Sequence, residues 1–527
     1  MTLKPRNGVF GGRAGWAAAV DRRQSRRVSA TASADHLGRL AIYKGGRRAV
    51  RWGMADPWKE QNVAAHALAL VHEAAGPYLD SLPERPVHDA TQDPLIDDLG
   101  GPLPEDGDGA LAAIERLLAV GTQASVHSAG PRFFHLVVGG ATPAALAGDW
   151  ITALLDQNSG LWVTSPLASR TETVVLGWLK DLFGLPQDFG AVLTPSATFA
   201  NLTGLAAARY WWADRHGVDV VAQGLAGLPQ LPVFTSGLVH ASTRKALQIL
   251  GCGRDTLRTF VRDDAGRIDL AALEQALIEL DGAPAVIVGN LGEVNTGDSD
   301  PIDDLADLAE QYGSWLHVDG AFGLFATVSP RTAHLARGVE RADSITADGH
   351  KWLNVPQESG FSFVKDNTVL GKTFGGWGAA YLPTLDDEQV SYNMHGPESS
   401  RRARAFPIWA TLRAYGRAGY RDMVERHLDV AAHLGRVVDE AADFELLAPV
   451  QLCVTCFRYR PPGVPEGELN ALNARLGAAI LDDGRVYVGT TTYRGMTALR
   501  PTFVNWRITE PEADLLIQVI REIGPGL

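Results

Sequence analysis

The chain has 527 residues, of which 46% are hydrophobic and 21% charged, proportions that are ordinary for a globular protein. No apolar stretch reaches the roughly 18–20 residues of a membrane span, and three cysteines are too few for a disulfide framework, which favours a reducing cytoplasm. The length exceeds what one small core requires and predicts a large domain with one or two smaller ones.

Charge is distributed unevenly along the sequence. The net charge is −13, but residues 1–53 hold twelve Lys or Arg against two Asp or Glu, so they carry about +10 and the remainder about −23. An acidic body argues against nucleic acid as the main partner. Residues 1–53 are predicted to be a basic, disordered extension with three open interpretations: a targeting peptide, a tail that binds nucleic acid or membrane, or an extension upstream of a true start at Met54.

The N-terminal part of the body is predicted to be helical. Apolar residues recur at helical spacing over 57–82 and again over 109–125, so residues 54–130 are assigned to an N-terminal helical segment. Two further helices are predicted at 143–158 and 169–185.

Strands and helices alternate through residues 131–415, which are predicted to form the large domain. Strands are predicted at 191–194, 231–236, 256–261, 284–290, 314–319 and 343–347. Helices are predicted between them at 195–212, 241–250, 268–280 and 300–313. Asp300 is expected to be the N-cap of the last of these helices. The alternation indicates a mainly parallel sheet, in which ligands bind beyond the carboxyl ends of the strands.

Residues 416–527 are predicted to form a small α+β domain. A long helix is expected over 420–441, strands within 451–460 and 485–493, and a last helix over 511–524.

Cys453 and Cys456 resemble a redox or zinc pair but fall within a predicted strand, where residues three apart face opposite sides. The pair is therefore interpreted as structural. The fourteen histidines show no metal-binding spacing, and no metal site is predicted.

Asp319 is the last residue of one predicted strand, and Lys351, 32 residues later, follows the next. Adjacent parallel strands would bring both side chains to one crevice. A deprotonated lysine amine forms a Schiff base and an acid opposite it holds a protonated ring nitrogen, which are the requirements of pyridoxal 5′-phosphate (PLP). Taken alone, Asp319 would be a cap or turn residue and Lys351 a surface lysine.

Two other strand ends carry candidate ligands. Ser196 and Thr198 offer hydroxyls beside the backbone N–H groups of a helix start, which suits a phosphate, although the same residues would also serve as a plain helix cap. His240 opens another helix and either caps that helix or lies flat on an aromatic ring.

Seven motifs in order resemble the PLP-dependent group II amino-acid decarboxylases, the family of aromatic-L-amino-acid and glutamate decarboxylases. They lie between about Phe133 and the C-terminus and read SPLASRTETVVLGWL, PSATFANLTGLAAAR, HASTRKA, GEVNTGDSDPI, WLHVDGAFG, GVERADSITADGHKWLNVP and RRARAFPIWATLRAYG. The resemblance implies an α/β PLP-dependent transferase fold of the aspartate-aminotransferase type (fold type I). It implies a mainly parallel seven-stranded sheet in the large domain and a homodimer with its site at the subunit interface.

The resemblance also implies roles for the matching residues. Lys351 resembles the Schiff-base lysine, Asp319 the partner of the pyridine nitrogen, and His240 the histidine stacked on the cofactor ring. The phosphate-binding positions are matched by Ser196, Ala197, Thr198 and His350. The positions that touch the ring are matched by Asn295 and Ala321. Asp348 departs from the pattern, because many relatives have Asn there and an acid would repel a phosphate unless protonated or turned away.

The implied reaction is decarboxylation of an L-amino acid to its amine and CO₂ through a Schiff base and a quinonoid. Family members return a proton to Cα from a tyrosine on a lid, and Tyr381, 30 residues past Lys351, fits that distance, with Tyr392 as its rival. An aldehyde synthase or C–C lyase on the same fold remains an alternative, as does a non-catalytic scaffold relative.

Substrate identity is expected to depend on Phe133–Gly140, on Trp162 and on the partner subunit. The apolar and aromatic character of these segments favours an aromatic or bulky apolar amino acid. Glutamate, aspartate and diaminobutyrate remain open as alternatives.

Overall fold

The computed structural model describes residues 56–376 and 389–527. The basic extension 1–53 and Tyr381 therefore lie outside the described residues. In the two described ranges, no helix combines the length and the apolar character needed to cross a membrane.

The N-terminal part is helical, as predicted. Its four helices are α1 (Ala64–Ser81), α2 (Ala110–Ala124), α3 (Pro143–Leu155) and α4 (Pro166–Phe183). α4 has Pro166 in its first turn, where a missing N–H costs nothing, and ends at Gly184, whose φ of 71° is the left-handed conformation that glycine favours.

A seven-stranded sheet forms the centre of the molecule. Its strands are β1 (Gly190–Thr194), β2 (Val233–Thr235), β3 (Leu257–Thr259), β4 (Val286–Asn290), β5 (Trp315–Asp319), β6 (Ser344–Asp348) and β7 (Gly360–Val364). The order is β1-β7-β6-β5-β4-β2-β3, and only β7 runs antiparallel to its neighbours. The predicted mainly parallel, seven-stranded sheet is confirmed, although the pattern of apolar runs did not locate β7 itself.

Helices connect the strands and cover the sheet. They are α5 (Ala197–Arg215), α6 (Val220–Gln223), α7 (Ala241–Ile249), α8 (Leu270–Ile278), α9 (Ile302–Gln311) and α10 (Asn367–Phe374). α5 lies directly against β6 and β7, so its first turn reaches the carboxyl end of β6.

The prediction that Asp300 caps α9 is wrong. No side chain caps this helix. Asp300 is instead buried, and its Oδ2 accepts hydrogen bonds from the backbone and side chain of Asn290 and from Ser236. These donors lie at the ends of neighbouring strands. The spacing of residues along the helix gives no information about them.

The C-terminal part begins with a helix longer than predicted, α11 (Ala405–Asp439). This helix is interrupted at Gly416, where φ is 60° and ψ is −174°. The interruption coincides with the predicted boundary between residues 415 and 416. The boundaries at 130/131 and 415/416 themselves stay predictions.

A second, antiparallel sheet packs with two helices in the C-terminal part. Its strands are β8 (Phe444–Leu446), β9 (Phe457–Tyr459), β10 (Thr490–Tyr493) and β11 (Met496–Leu499), in the order β10-β11-β9-β8. The helices are α12 (Glu466–Asp483) and α13 (Glu510–Ile523). Cys453 and Cys456 precede β9 rather than lying in it, and both are buried free thiols.

Candidate active site

The carboxyl ends of β5 and β6 bring Asp319 and Lys351 to one edge of the sheet. The two strands pair in parallel, with Asp319 opposite Thr346, and Lys351 lies in the short π-helical turn Gly349–Leu353 that follows β6. Lys351 Nζ lies 5.8 Å from the centroid of the Phe322 ring. Among the described residues, no carboxylate forms an ion pair with this amine, so its nitrogen is open to a ligand.

The Asp319 carboxylate is 6% exposed and receives three hydrogen bonds. Asn201 Nδ2 donates to Oδ2 at 2.9 Å and Thr243 Oγ1 to the same oxygen at 3.4 Å. The Ala321 N–H donates to Oδ1 at 3.2 Å. These donors come from α5, α7 and the loop after β5, so three separate elements orient one carboxylate.

His240 caps α7 and lies beside this carboxylate. Its Nδ1 accepts from the Ser242 backbone N–H at 3.2 Å and lies 2.7 Å from Ser242 Oγ. Burial lowers the pKa of His240, while the charge of Asp319 acts in the opposite direction and that of Lys351 adds to the lowering. Asp319, Lys351 and His240 therefore share one crevice, and His240 is neutral there at neutral pH.

The start of α5 supplies open donors. The structure records no hydrogen-bond partner among the described residues for the hydroxyls of Ser196 and Thr198. Ala197 differs, because its backbone N–H donates to Asp348 Oδ2 at 2.8 Å. Two hydroxyls at a helix N-terminus suit a phosphate, whereas the Ala197 N–H is already engaged.

A glycine allows β7 to approach this helix start. A Cβ added at Gly360 would lie 2.4 Å from the carbonyl carbon of Ser196, closer than side-chain atoms pack. Glycine at 360 therefore keeps the space at the start of α5 clear.

The segment Phe133–Gly140 runs beside the lysine turn. The Gly139 N–H donates to the His350 carbonyl at 2.9 Å, and a Cβ at Gly139 would meet the Lys351 carbonyl oxygen at 2.1 Å. At the other end of the segment, Phe133 stacks on Tyr487 with ring centroids 5.7 Å apart. The predicted substrate segment thus lies against the predicted catalytic turn.

The remaining predicted ligands are placed as follows. Asn295 Oδ1 accepts from Thr491 Oγ1 at 2.6 Å, so its side chain faces the β10 strand. Ala321 touches Asp319 through its backbone, as described above. Trp162 donates its backbone N–H to Ser391 Oγ at 3.0 Å.

Arg500 is a candidate site residue that the sequence patterns missed. It is 6% exposed, its Nη1 donates to the Leu136 carbonyl at 3.4 Å, and its Nε has no hydrogen-bond partner among the described residues. Its charge acts on His240, so it lies near the crevice. A lone arginine after a short strand forms no motif, and only the fold brings it to the Phe133–Gly140 segment.

Tyr392 lies at the other end of β1. It is buried, its hydroxyl lies 3.0 Å from Thr173 Oγ1, and burial raises its pKa. It lines a cavity of about 520 Å³ with Gly190, the first residue of β1, whereas Ser196 follows the last. Because a five-residue strand spans roughly 17 Å, this arrangement separates Tyr392 from the start of α5.

These observations test whether the residues fit PLP. An unpaired half-buried amine, a buried carboxylate held by three donors, a neutral histidine beside it and two open hydroxyls at a helix start lie together. Each matches one functional group of the cofactor: the aldehyde, the ring nitrogen, the ring face and the phosphate. The residues therefore fit PLP.

Comparison with known proteins agrees with this fit. The family model described as "Pyridoxal-dependent decarboxylase conserved domain" matches residues 102–460. An aromatic-L-amino-acid decarboxylase of Bacillus atrophaeus is 26% identical over 454 residues, which is 85% of this chain and 92% of the relative. An acidic amino acid decarboxylase of Mus musculus is 30% identical over 76% of this chain and 74% of its own. A phenylacetaldehyde synthase of Petunia hybrida is 28% identical over 75% and 81%.

Solved structures share the fold. The crystal structure of Oryza sativa TDC with PLP and tryptamine superposes with a TM-score of 0.81 at 24% identity, covering 88% of this chain and 98% of that one. Mouse CSAD in apo form gives 0.80 at 24% identity, covering 89% and 99%. The predicted fold type I architecture is confirmed.

Proposed function

Because the chain belongs to the family of pyridoxal-dependent decarboxylases, we propose that it converts an aromatic or bulky apolar L-amino acid to its amine and CO₂. Its cofactor is PLP and its reaction class is amino-acid decarboxylation. The observation that carries the proposal is the parallel pairing of β5 and β6, which places Asp319 and Lys351 at one edge.

In this proposal, five side chains hold the cofactor. The amine of Lys351 attaches to the aldehyde, and the carboxylate of Asp319 bonds to the ring nitrogen. The phosphate is bound by the hydroxyls of Ser196 and Thr198 with His350 beside them. When bound, PLP supplies an electron sink for the electrons of the broken bond between Cα and the carboxyl carbon.

Contacts to the ring itself are proposed for three further residues. His240 packs on one ring face, and Ala321 and Asn295 lie at its edge. The Ala321 N–H already donates to Asp319, so this residue acts on the carboxylate as well as on the ring. For Ala197, whose N–H is bound to Asp348, the proposed contact to the phosphate is limited to van der Waals packing.

Arg500 is proposed to bind the carboxylate of the amino acid. Its guanidinium is buried without an ion pair among the described residues, and burial lowers its pKa although the charge of Glu293 acts in the opposite direction, so a directly bound anion would stabilise it. The bidentate geometry of arginine suits a carboxylate. Holding the carboxylate in this way would orient the bond that breaks.

The proton that replaces CO₂ at Cα is proposed to come from the phenol of Tyr381. The rival Tyr392 is less suited, because its hydroxyl is bonded to Thr173 and burial raises its pKa, which weakens it as an acid.

The aromatic preference is supported by the Phe133–Gly140 segment. Phe133 and Tyr487 form a stacked pair close to the segment that contacts the lysine turn. An apolar wall favours an apolar side chain and keeps water from the departing carboxylate. An acidic substrate is the second candidate, because Arg500 would also suit a side-chain carboxylate and the Mus musculus relative is an acidic amino acid decarboxylase.

A homodimer is proposed from exposed apolar side chains. α1 buries none of its residues in the single chain although it is rich in Ala and Leu. On α3, in the loop after it and at the start of α4, the exposed apolar residues are Trp150, Ile151, Leu154, Leu155, Val163 and Leu167. Exposed apolar side chains in such number within 18 residues are typical of a subunit interface. A cytoplasmic location is also proposed, since all three cysteines are free thiols.

The test is a survey of the common L-amino acids with the purified holoenzyme, measuring both CO₂ release and the organic product. We expect kcat/KM to be highest for an aromatic or large apolar amino acid, with one amine formed per CO₂. A preference for glutamate or aspartate would favour the second candidate. An aldehyde in place of the amine would assign the chain the chemistry of the Petunia hybrida relative.

A further inference from the structure

A chain of buried hydrogen bonds ends at Asp319. The carboxylate, which can only accept, determines which atoms donate along the chain. Trp315 Nε1, which can only donate, donates to Ser344 Oγ at 2.9 Å. Ser344 Oγ also lies 2.8 Å from His317 Nδ1. The hydroxyl oxygen has two lone pairs, so its bond to the indole alone leaves open which atom donates between Ser344 and His317.

His317 is the next residue in this chain of hydrogen bonds. The side chain is fully buried, and burial lowers its pKa to about 4, so the ring is neutral at neutral pH and carries one proton. The Asp319 carboxylate only accepts, so Asn201 donates to it through Nδ2 and presents Oδ1 to His317. The imidazole proton is therefore on Nε2, which donates to Asn201 Oδ1 at 2.8 Å, and Nδ1 accepts from the Ser344 hydroxyl. The tautomer of His317 therefore follows from its two partners.

The chain of hydrogen bonds divides in two at Asn201. With Oδ1 accepting from His317, both hydrogens of Nδ2 are available, and they are directed to Asp319 Oδ2 at 2.9 Å and to Ser242 Oγ at 3.1 Å. Ser242 Oγ in turn donates to His240 Nδ1 at 2.7 Å. One amide group thus contacts both branches that lead to the cofactor-binding side.

We propose that Asn201 is a positioning residue for the cofactor ring, which holds the Asp319 carboxylate directly and the His240 ring through Ser242. Trp315, Ser344 and His317 form the hydrogen-bonded chain that holds its Oδ1. The inference rests on the proposed role of Asp319 as the partner of the ring nitrogen. Its contribution is distinct from that role, since Asn201 does not itself touch the cofactor.

Distances and burial favour Asn201 over the other donors to Asp319. Its bond, at 2.9 Å, is shorter than that of Ala321 at 3.2 Å or Thr243 at 3.4 Å. Asn201 is fully buried, so its bond to Asp319 does not compete with bulk water. Hydrogen bonds to charged groups contribute more than neutral ones, and a buried acceptor left unpaired is costly.

The experiment is a double-mutant cycle with the full chain, from which PLP is removed and then titrated back while the absorbance of the bound cofactor is followed. Asn201→Ala is made in the wild type and in an Asp319→Asn background. We expect the dissociation constant of PLP to rise about tenfold in the wild type and less than about twofold in the Asp319→Asn background. The matched control is Thr203→Val, on the same helix, whose hydroxyl bonds to the Phe199 carbonyl and to no other group in the described part of the chain. It is expected to leave PLP affinity within about twofold of the wild type.

An equal loss of affinity in both backgrounds would overturn the inference, because a structural role does not depend on Asp319. If Asp319→Asn alone leaves PLP affinity unchanged, the proposed role of Asp319 fails and the inference fails with it.

If Asn201→Ala does not fold, the variant Gly204→Ala tests the inference instead. A Cβ at Gly204 would lie 2.9 Å from Cε1 of His317 and would displace the imidazole without changing a polar group. We expect it to weaken PLP binding by about threefold, again only when Asp319 is present. An unchanged affinity for PLP in Gly204→Ala would contradict a contribution of His317 through Asn201.

Discussion

Asp348 Oδ2 accepts a hydrogen bond from the backbone N–H of Ala197 at 2.8 Å, although the two residues are 151 positions apart in sequence. The carboxylate is 1% exposed, and its other oxygen lies 2.6 Å from His350 Nδ1. The acid that departs from the family pattern is therefore turned toward the start of α5 and toward a histidine. In the structure Asp348 acts as a hydrogen-bond acceptor, a role that the amide oxygen of an asparagine could also fill.

Asp348→Asn and Asp348→Leu separate this acceptor role from the charge. We expect Asn to keep the bond to Ala197 and to change PLP affinity by less than about threefold. Leu leaves a buried N–H unpaired at the helix start and is expected to weaken PLP binding at least about tenfold. Equilibrium titration of the apoprotein measures both, and equal losses would show that the charge beside His350 is what matters.

Lys351→Ala tests the amine that has no ion pair among the described residues. We expect the purified variant to lack the yellow absorbance of the attached cofactor and to lose at least about 10³-fold in CO₂ release, because no other group in the turn Gly349–Leu353 offers an amine. Lys372→Ala, an exposed lysine on α10, serves as the control and should retain both. A yellow, active Lys351→Ala protein would assign the attachment elsewhere.

Arg500→Met tests carboxylate binding by the buried guanidinium. Removing a charged hydrogen-bond donor should raise KM at least about tenfold, while PLP affinity stays within about threefold of the wild type. Arg500→Lys keeps the charge but loses the paired N–H groups with which a guanidinium binds both oxygens of a carboxylate, so an intermediate KM is expected. Steady-state kinetics with the best amino acid give the answer. A fall in PLP affinity that matches the loss in kcat/KM would place Arg500 at the cofactor rather than at the amino acid.

Tyr381→Phe removes the proposed proton donor. We expect amine output to fall by about 10²-fold or more, with product shifted from amine toward aldehyde and ammonia when dioxygen is present as the oxidant and is reduced to hydrogen peroxide. Tyr392→Phe, the matched substitution, should keep the amine as product, since its hydroxyl is bonded to Thr173. Chromatography of the products distinguishes the two variants. Amine formation that survives in Tyr381→Phe but fails in Tyr392→Phe would reverse the assignment.

His427 predicts an acid-sensitive fold. Its Nδ1 accepts from Trp352 Nε1 and its Nε2 donates to the Asn505 carbonyl, and burial lowers its pKa to about 3 from 6.5. Below pH 6.5 the unfolded chain takes up a proton that the folded chain refuses until about pH 3, so stability falls as pH falls across this window. The loss from this one group is about 2 kcal/mol at pH 5.

His427→Gln removes that titration. Its free energy of unfolding should therefore fall less steeply than that of the wild type between pH 7 and 5, even if it is lower at pH 7. Urea unfolding at several pH values measures the two slopes. Parallel curves for the two proteins would show that His427 does not contribute to the acid sensitivity.

Much of the fold and of the candidate site follows from local sequence pattern. The six strands predicted in the large domain and the polar residues at or just past their ends, including Asp319 and Lys351, are identifiable because apolar periodicity and strand-ending residues act over a few positions. β7 was missed, since five residues with no flanking helix give a weak signal. The helix predicted over 420–441 matches the part of α11 after Gly416, whereas the pattern does not show that the residues before Gly416 belong to the same element.

What the sequence by itself determined is the chemistry available at each strand end: an amine, an acid, an imidazole and two hydroxyls in an order that identifies the family. Only the tertiary structure decided how these groups are held. Asn201 meets Asp319 across 118 positions, Asp348 turns to Ala197, and Arg500 reaches the Phe133–Gly140 segment. Local pattern does not encode such partners, because a buried polar side chain bonds to whichever donor the packing of distant elements places beside it.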